Sequence, residues 1–93
     1  MKNYEAIIVL KPQQEDLAEK VINTILDNIK KNKGEIISQD NWGKKPIAYP
    51  IKNNKEGIFY KLNFSLEPAL IDDLKKNCSL NSEILRTMIL RKD

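Results

Sequence analysis

Apolar residues recur along this chain with two different spacings, which separate strands from helices. Tyr4 to Leu10 is short, rich in β-branched residues and apolar on both faces, as expected of a central strand. Glu15 to Lys31 instead repeats apolar residues every three or four positions, which predicts a helix. Gly34 is predicted to end this helix in a left-handed cap. The predicted buried stripe consists of Leu17, Ala18, Val21, Ile22, Ile25 and Ile29.

A β-hairpin is predicted after the first helix. Glu35 to Ile51 is a long second strand region, and Lys52 to Gly57 forms a polar turn that ends in glycine. From Ile58 to Ser65 the even-numbered residues are apolar, so we expect them to face the core. The odd-numbered residues of this third strand are then expected to face solvent or a partner.

The last third of the chain repeats the order of a helix and a strand. Pro68 suits the first position of a second, shorter helix that ends near Asn77 to Asn81. Its predicted buried stripe is Leu70, Ile71, Leu74 and Cys78. Ile84 to Arg91 is predicted as the last strand, apolar on both faces except where Arg86 interrupts one of them.

The resulting order, β-α-β-β-α-β, predicts a single α+β domain over residues 1–93 with the split βαβ or ferredoxin-like pattern. Right-handed crossovers place both helices on one face of a four-stranded antiparallel sheet, with strands one and three in the middle. The other sheet face is then uncovered by helices. Ile7, Val9, Phe59 and one face of strand four are expected to form an apolar patch there, a feature that commonly marks an interaction surface.

Composition narrows the possible functions. The longest apolar run, Ala6 to Leu10, is far shorter than the roughly 20 residues of a membrane-spanning helix, and the first residues do not resemble a signal peptide. We therefore expect a cytosolic protein without a membrane segment. A single cysteine, Cys78, and the absence of histidine argue against an internal disulfide, a zinc site and histidine-based catalysis. We expect no catalytic residues, no metal and no cofactor, and we expect Cys78 to be a core residue.

Charge is concentrated in two regions. Residues 41–62 hold five lysines against one glutamate, and residues 84–93 hold three cations against one acid, within a chain of net charge +3.

The stretch from Trp42 to Ile51 combines two adjacent lysines, two prolines and two large aromatics. Because proline cannot donate a hydrogen bond to a sheet, this part of strand two is expected to lie at a sheet edge or to carry a bulge.

Three segments carry a family resemblance: Lys2-Asn3-Tyr4-Glu5, then Trp42-Gly43-Lys44-Lys45 running into Ala48-Tyr49-Pro50-Ile51, and finally Met88-Ile89-Leu90-Arg91 after Arg86. In these segments, and over essentially its whole length, the chain resembles the bacterial small-subunit ribosomal protein number six family. Members commonly carry arginine where this chain has Lys2, Lys44 and Lys45, so bidentate phosphate contacts would become point-charge contacts here. Pro46 is also unusual within the motif, and whether the second strand pairs regularly beyond Lys45 stays open at this point.

The resemblance implies a structural, non-catalytic protein of cytoplasmic or organellar ribosomes. Such a protein binds the central domain of small-subunit ribosomal RNA as a heterodimer with small-subunit ribosomal protein number eighteen. We expect the isolated protein to be a monomer. The residues expected to bind RNA are Lys2, Asn3, Lys44, Lys45, Arg86, Arg91 and Lys92. Those expected at the partner-protein interface are Trp42, Ala48, Tyr49 and Pro50.

Some of these roles have alternatives. Trp42 and Tyr49 are as well suited to packing against the hairpin as to contact with the partner. Arg86 is suited to RNA, to the partner, or to laying its aliphatic stem over the open sheet face. Arg91 and Lys92 lie near the end of the chain, where residues are commonly disordered.

Other proteins with this fold fit the sequence less well. An RNA-recognition motif would stack bases on strand-three aromatics, but residues 56–62 lack its leading cation and first aromatic, and Tyr60 is predicted to face the core. An acylphosphatase-like enzyme would need an arginine in the loop at residues 11–14, which has neither arginine nor glycine. An amino-acid-binding regulatory domain would need small residues in the same loop, and none is present.

Overall fold

The computed structural model describes residues 1–12, 15–51 and 53–92; Gln13, Gln14, Lys52 and Asp93 lie outside the described residues. Its strands pair in the order β2-β3-β1-β4, and all neighbours are antiparallel. The predicted ferredoxin-like α+β fold, with the first and third strands in the middle, is confirmed. The elements are β1 (Lys2–Leu10), α1 (Glu15–Lys31), β2 (Glu35–Ile51), β3 (Asn54–Leu66), α2 (Ile71–Leu80) and β4 (Ile84–Arg91), with a 3-10 turn at Pro68–Leu70.

Both helices pack on one face of the sheet, where the even-numbered residues from Tyr4 to Leu10 in β1 and from Ile58 to Leu66 in β3 are buried. The predicted alternation is confirmed, and the rings of Tyr4 and Phe64 stack with centroids 5.8 Å apart. Within α1, Leu17 is 47% exposed and the prediction that it is buried is wrong. The buried stripe lies slightly further round the helix and includes Leu26 instead. Its fully buried members are Ala18, Ile22, Ile25, Leu26 and Ile29.

The end of α1 differs from the prediction in one residue. Lys33, with a φ of 65°, adopts the left-handed conformation that was predicted for Gly34. The N–H of Lys33 donates to the carbonyl of Lys30 and that of Gly34 to the carbonyl of Ile29, which is the Schellman arrangement. Gly34 is instead required by close packing, because an added Cβ would lie 2.7 Å from the carbonyl oxygen of Ser65 on β3.

The second helix follows the prediction. Pro68 begins the 3-10 turn, and α2 buries Ile71, Leu74 and Cys78, while Leu70 is half-buried against the same core. Among the described residues, neither helix combines the length and apolar character needed to cross a membrane.

The hairpin between β2 and β3 is longer than predicted. Ile51 pairs with Asn54, so the turn is short, and Gly57 lies buried inside β3 rather than at the end of a polar turn. As an edge strand, β2 pairs irregularly, and its register shifts in three places, one of them between Pro46 and Ile51. The predicted edge position is confirmed, and the ladder with β3 continues as far as Pro46 before it becomes irregular. We call residues 46–51 the hairpin arm.

Candidate functional site

The sheet face opposite the helices, here called the open face, changes from apolar to polar along the strands. Side chains from β3, β1 and β4 form successive rows across it. The row nearest the hairpin arm contains Phe59, Val9 and Arg86. The following rows are Lys61, Ile7 and Met88, then Asn63, Glu5 and Leu90, and finally Ser65 and Asn3.

The hairpin arm folds over the apolar end of this face and leaves a groove of about 390 Å³. We call it the arm groove. On one side it is lined by the arm and Trp42, and on the other by Ile7, Val9, Phe59, Arg86 and Met88. All four residues predicted to contact a partner protein line this groove: Trp42, Ala48, Tyr49 and Pro50.

The arm can approach the sheet closely because position 57 has no side chain. A Cβ added to Gly57 would lie 2.6 Å from Cγ1 of Val9 and 3.2 Å from Cδ1 of Ile47 on the arm. Val9 is therefore only 6% exposed, although it lies on the face that the helices leave free. Ile7, Val9 and Phe59 lie on the face that the helices leave free, as expected, but they are not fully open to solvent, since Val9 is buried and the other two residues are half-buried.

The two aromatic residues of the motif point away from the core. Trp42 is 42% exposed and Tyr49 is 83% exposed, so the alternative in which they pack inside the hairpin does not hold. Nζ of Lys45 lies 5.5 Å from the centroid of the Trp42 ring, within the range of a cation–π contact. A large aromatic surface thus remains available beside the groove.

The residues predicted to bind RNA fall into two groups at opposite ends of the sheet. Lys2 and Asn3 begin β1, Arg91 ends β4, and the N–H of Lys92 donates to the carbonyl of Asn3. We call these four residues the basic end. Arg86, opposite Val9, belongs to the other end. From residue 3 to residue 9 a strand extends about 20 Å, so Arg86 and the basic end form separate surfaces.

Lys44 and Lys45 do not form one patch. In the pairing of β2 with β3, Lys44 lies opposite Ile58, whose side chain faces the core, and Lys45 lies opposite Gly57. Because successive residues of a strand point to opposite faces, Lys44 is on the helix side of the sheet edge. Lys45 is on the open face beside Trp42.

An ion pair lies between the arm groove and the basic end. Nζ of Lys61 is 2.8 Å from Oε1 of Glu5, and this hydrogen bond lowers the pKa of Glu5 and raises that of Lys61. Beside it, Asn63 donates through Nδ2 to Oγ of Ser38 at 2.9 Å. Sequence reasoning missed this polar cluster. The opposite charges of Glu5 and Lys61 were visible, but their contact depends on the register between β1 and β3.

Cys78 is 3% exposed, which confirms it as a core residue. Burial raises the pKa of its thiol, and a hydrogen bond with Thr87 lowers this pKa by a smaller amount. Within residues 1–12, 15–51 and 53–92 no three cysteine or carboxylate side chains cluster as metal ligands would.

Comparison with known proteins gives consistent matches over the whole chain. The family model described as ribosomal protein S6 matches residues 3–91. The small ribosomal subunit protein bS6 of Corynebacterium kroppenstedtii is 36% identical over 94 residues, which cover 100% of this chain and 99% of the relative. The protein of the same name from Heliobacterium modesticaldum is 32% identical, with 100% and 98% of the two chains covered.

Solved structures match the fold. The 30S ribosomal protein S6 of Thermotoga maritima superposes with a TM-score of 0.92 at 24% identity, covering 98% of this chain and 87% of that one. The C-terminal domain of the MgtC protein from Mycobacterium tuberculosis reaches 0.68 at 12% identity, covering 99% and 88%. Two differently named proteins thus share this fold, so the fold alone does not identify the family of this chain. The family model, by contrast, matches nearly every residue. This chain belongs to the ribosomal protein S6 family of the small ribosomal subunit.

Proposed function

We propose that this protein is a non-catalytic structural component that binds the central domain of small-subunit ribosomal RNA as a heterodimer with small-subunit ribosomal protein number eighteen. Family membership supports a place in the small subunit. The proposed RNA and partner sites are supported by one observation, which is that the aromatic and the basic residues of the surface lie in separate places. Exposed aromatics gather in the arm groove, while the basic end lies about 20 Å away.

The basic end is the proposed RNA site. Lysine and arginine side chains neutralise phosphates and release counterions, and an asparagine amide can hydrogen-bond a phosphate or a ribose hydroxyl. Lys2, Asn3, Arg91 and Lys92 supply these groups at one end of the sheet. Lys2 and Arg91 pair with the core residues Leu66 and Tyr4 and so lie toward the helix side, whereas Asn3 lies on the open face. Lys44 adds a cation at the edge of the sheet. These contacts would recognise the shape of a folded RNA rather than its base sequence.

The arm groove is the proposed docking site for the partner protein. Tyrosine and tryptophan bury a large apolar area and keep one polar group for hydrogen bonding, which suits them to interfaces. Trp42 and Tyr49 are both exposed, and Ala48 and Pro50 continue the same apolar lining. Docking there would cover an apolar surface that the protein's own helices do not reach.

A gel-shift assay with a central-domain RNA fragment tests the proposal. The protein, the partner and their mixture are titrated separately, with a basic protein of similar size and charge as the control. We expect the mixture to bind more tightly than either protein alone and to withstand an excess of unrelated RNA. Binding no better than that of the basic control would overturn the proposal.

The same proposal makes the isolated protein a monomer, because its core is complete within one chain. Sedimentation of the protein without its partner should give the mass of one chain. An obligate dimer in this experiment would contradict the expected monomer.

A further inference from the structure

Arg86 is the single charged residue among the described residues that line the arm groove. We propose that Arg86 belongs to the partner-protein site and pairs with a carboxylate that the partner presents beside an apolar side chain. The inference rests on the proposed function, and it moves Arg86 from the predicted RNA site to the protein interface. The apolar side chain would enter the groove while the carboxylate meets the guanidinium at its rim.

A β-bulge aims Arg86 at the groove. Leu10 pairs with Ile84, and regular pairing would then place Leu85 opposite Val9. The register shifts between Val9 and Leu10, so Arg86 takes that position instead and its side chain lies on the open face. Leu85 is left 8% exposed. The shift therefore replaces an apolar residue with a cation in the row of Val9 and Phe59.

The groove offers Arg86 no anion. Its other lining residues are apolar or aromatic, and within the described part of the chain the guanidinium makes no ion pair. Covering an unpaired cation with an apolar partner surface would be strongly unfavourable, so the partner must bring a negative group. A carboxylate matches the planar donors of a guanidinium in a bidentate pair. Lys45, held over the ring of the groove residue Trp42, adds a second positive charge on the same face of the sheet.

The surroundings favour a protein carboxylate over an RNA phosphate. RNA is bound by several cations placed along its backbone path, and the basic end lies about 20 Å from Arg86. Lys44 lies on the other face of β2. The groove itself presents apolar surface of the kind that receives a protein side chain, with Arg86 as the polar group that fixes orientation.

Isothermal titration calorimetry tests the inference. Purified small-subunit ribosomal protein number eighteen is titrated into the wild-type protein and, separately, into the Arg86→Leu variant. We expect the variant to bind the partner about thirtyfold more weakly, near the lower end of losses on truncating a buried charge pair. Arg86→Lys should recover part of the affinity, because an ammonium group keeps the charge but not the bidentate geometry. Lys20→Leu, which removes an exposed cation on α1, should bind the partner like the wild type.

Three further measurements distinguish a specific pairing of Arg86 with one partner carboxylate from a general effect of the substitution. The partner's carboxylates are replaced one at a time by amides, and one of these changes should be non-additive with Arg86→Leu in a double-mutant cycle. RNA binding is also measured over a range of salt concentrations, with enough partner protein to saturate the Arg86→Leu variant. The salt dependence should then equal that of the wild-type protein with its partner. Urea denaturation should show that Arg86→Leu is as stable as the wild type, since Arg86 is exposed.

Equal partner affinities of the wild type and Arg86→Leu would overturn this inference alone. The inference would also be overturned if Arg86→Leu reduced the slope of RNA affinity against salt concentration by about one charge. That result would assign Arg86 to a phosphate contact. If the wild-type protein forms no complex with the partner at all, the proposed function itself fails.

Discussion

Nζ of Lys61 on β3 lies 2.8 Å from Oε1 of Glu5 on β1, and the two residues are diagonal neighbours across the strands. Glu5 pairs with Asn63, and Lys61 pairs with Ile7. The ion pair thus lies where the open face changes from apolar to polar. It separates the surface proposed for a protein from the surface proposed for RNA.

This ion pair predicts an acid-dependent loss of stability. The hydrogen bond from Lys61 lowers the pKa of Glu5 in the folded state, so the stabilisation is present above the pKa of the unfolded chain. It is lost as the pH falls through the lowered folded-state value. The raised pKa of Lys61 means that its own contribution is lost only when the pH rises through that value in strongly basic solution.

Urea denaturation at pH 7 and in acid measures this effect. The difference in unfolding free energy between the two conditions should be smaller for Glu5→Gln than for the wild type. Lys61→Met should remove the same part, and the double variant should lose no more than either single variant. A Glu5→Gln protein that keeps the full acid-dependent loss would show that other groups cause it.

The single tryptophan should report partner binding. Trp42 is 42% exposed and lines the arm groove, so a docked partner should bury it. We expect its fluorescence emission to shift to shorter wavelength, and acrylamide quenching to weaken, on addition of small-subunit ribosomal protein number eighteen. The RNA fragment alone should leave the spectrum unchanged. An unchanged spectrum at saturating partner would place the docking surface elsewhere.

Gly57→Ala should loosen the contact between the hairpin arm and the sheet. The added Cβ would lie 2.6 Å from Cγ1 of Val9 and 3.1 Å from the carbonyl oxygen of Leu10. Relieving such contacts typically costs about 1–3 kcal/mol of stability, which urea denaturation can measure. Adding Val9→Ala should recover part of the loss, because the nearest atom is then removed. Additive destabilisation by the two changes would show that they do not interact.

Lys44 and Lys45 should have separable roles. Lys44→Ala should weaken RNA binding and reduce its salt slope by up to about one charge. Lys45→Ala should leave that slope unchanged and instead alter Trp42 fluorescence, since Lys45 lies over the indole ring. Filter binding over a range of salt concentrations distinguishes them. Equal effects of both changes on the slope would mean that the RNA contacts both faces of β2.

Residue patterns were sufficient to predict the element order and much of the core. The alternation in Ile58 to Ser65 and the edge position of Pro46 are local properties, and the structure confirms both. Leu17 is exposed because the buried stripe of α1 lies part of a turn further round the helix than predicted. The sequence allows more than one apolar stripe on this helix, and packing against the sheet selects one of them. Gly57 was assigned to a turn because glycine serves both turns and close contacts.

The candidate site was less predictable, since it depends on strand registers. The motif residues are visible in the sequence, but the placement of Arg86 in the same groove as Trp42 requires the shift at Val9 in the pairing of β1 with β4. Likewise, Val9 is buried by an arm that follows it by about forty residues in the chain. Contacts of this kind arise only when the sheet has formed.

The central position of β1 has a consequence for synthesis. β1, which precedes the other elements of this domain in the chain, pairs on one side with β4, which follows them. While the nascent chain lacks residues 84–91, one edge of β1 has no partner, and the backbone N–H and C=O groups of β1 on that side remain available to other chains. Folding of this domain can therefore be completed only after β4 has been made, and a chain that stops before β4 would carry an aggregation-prone edge.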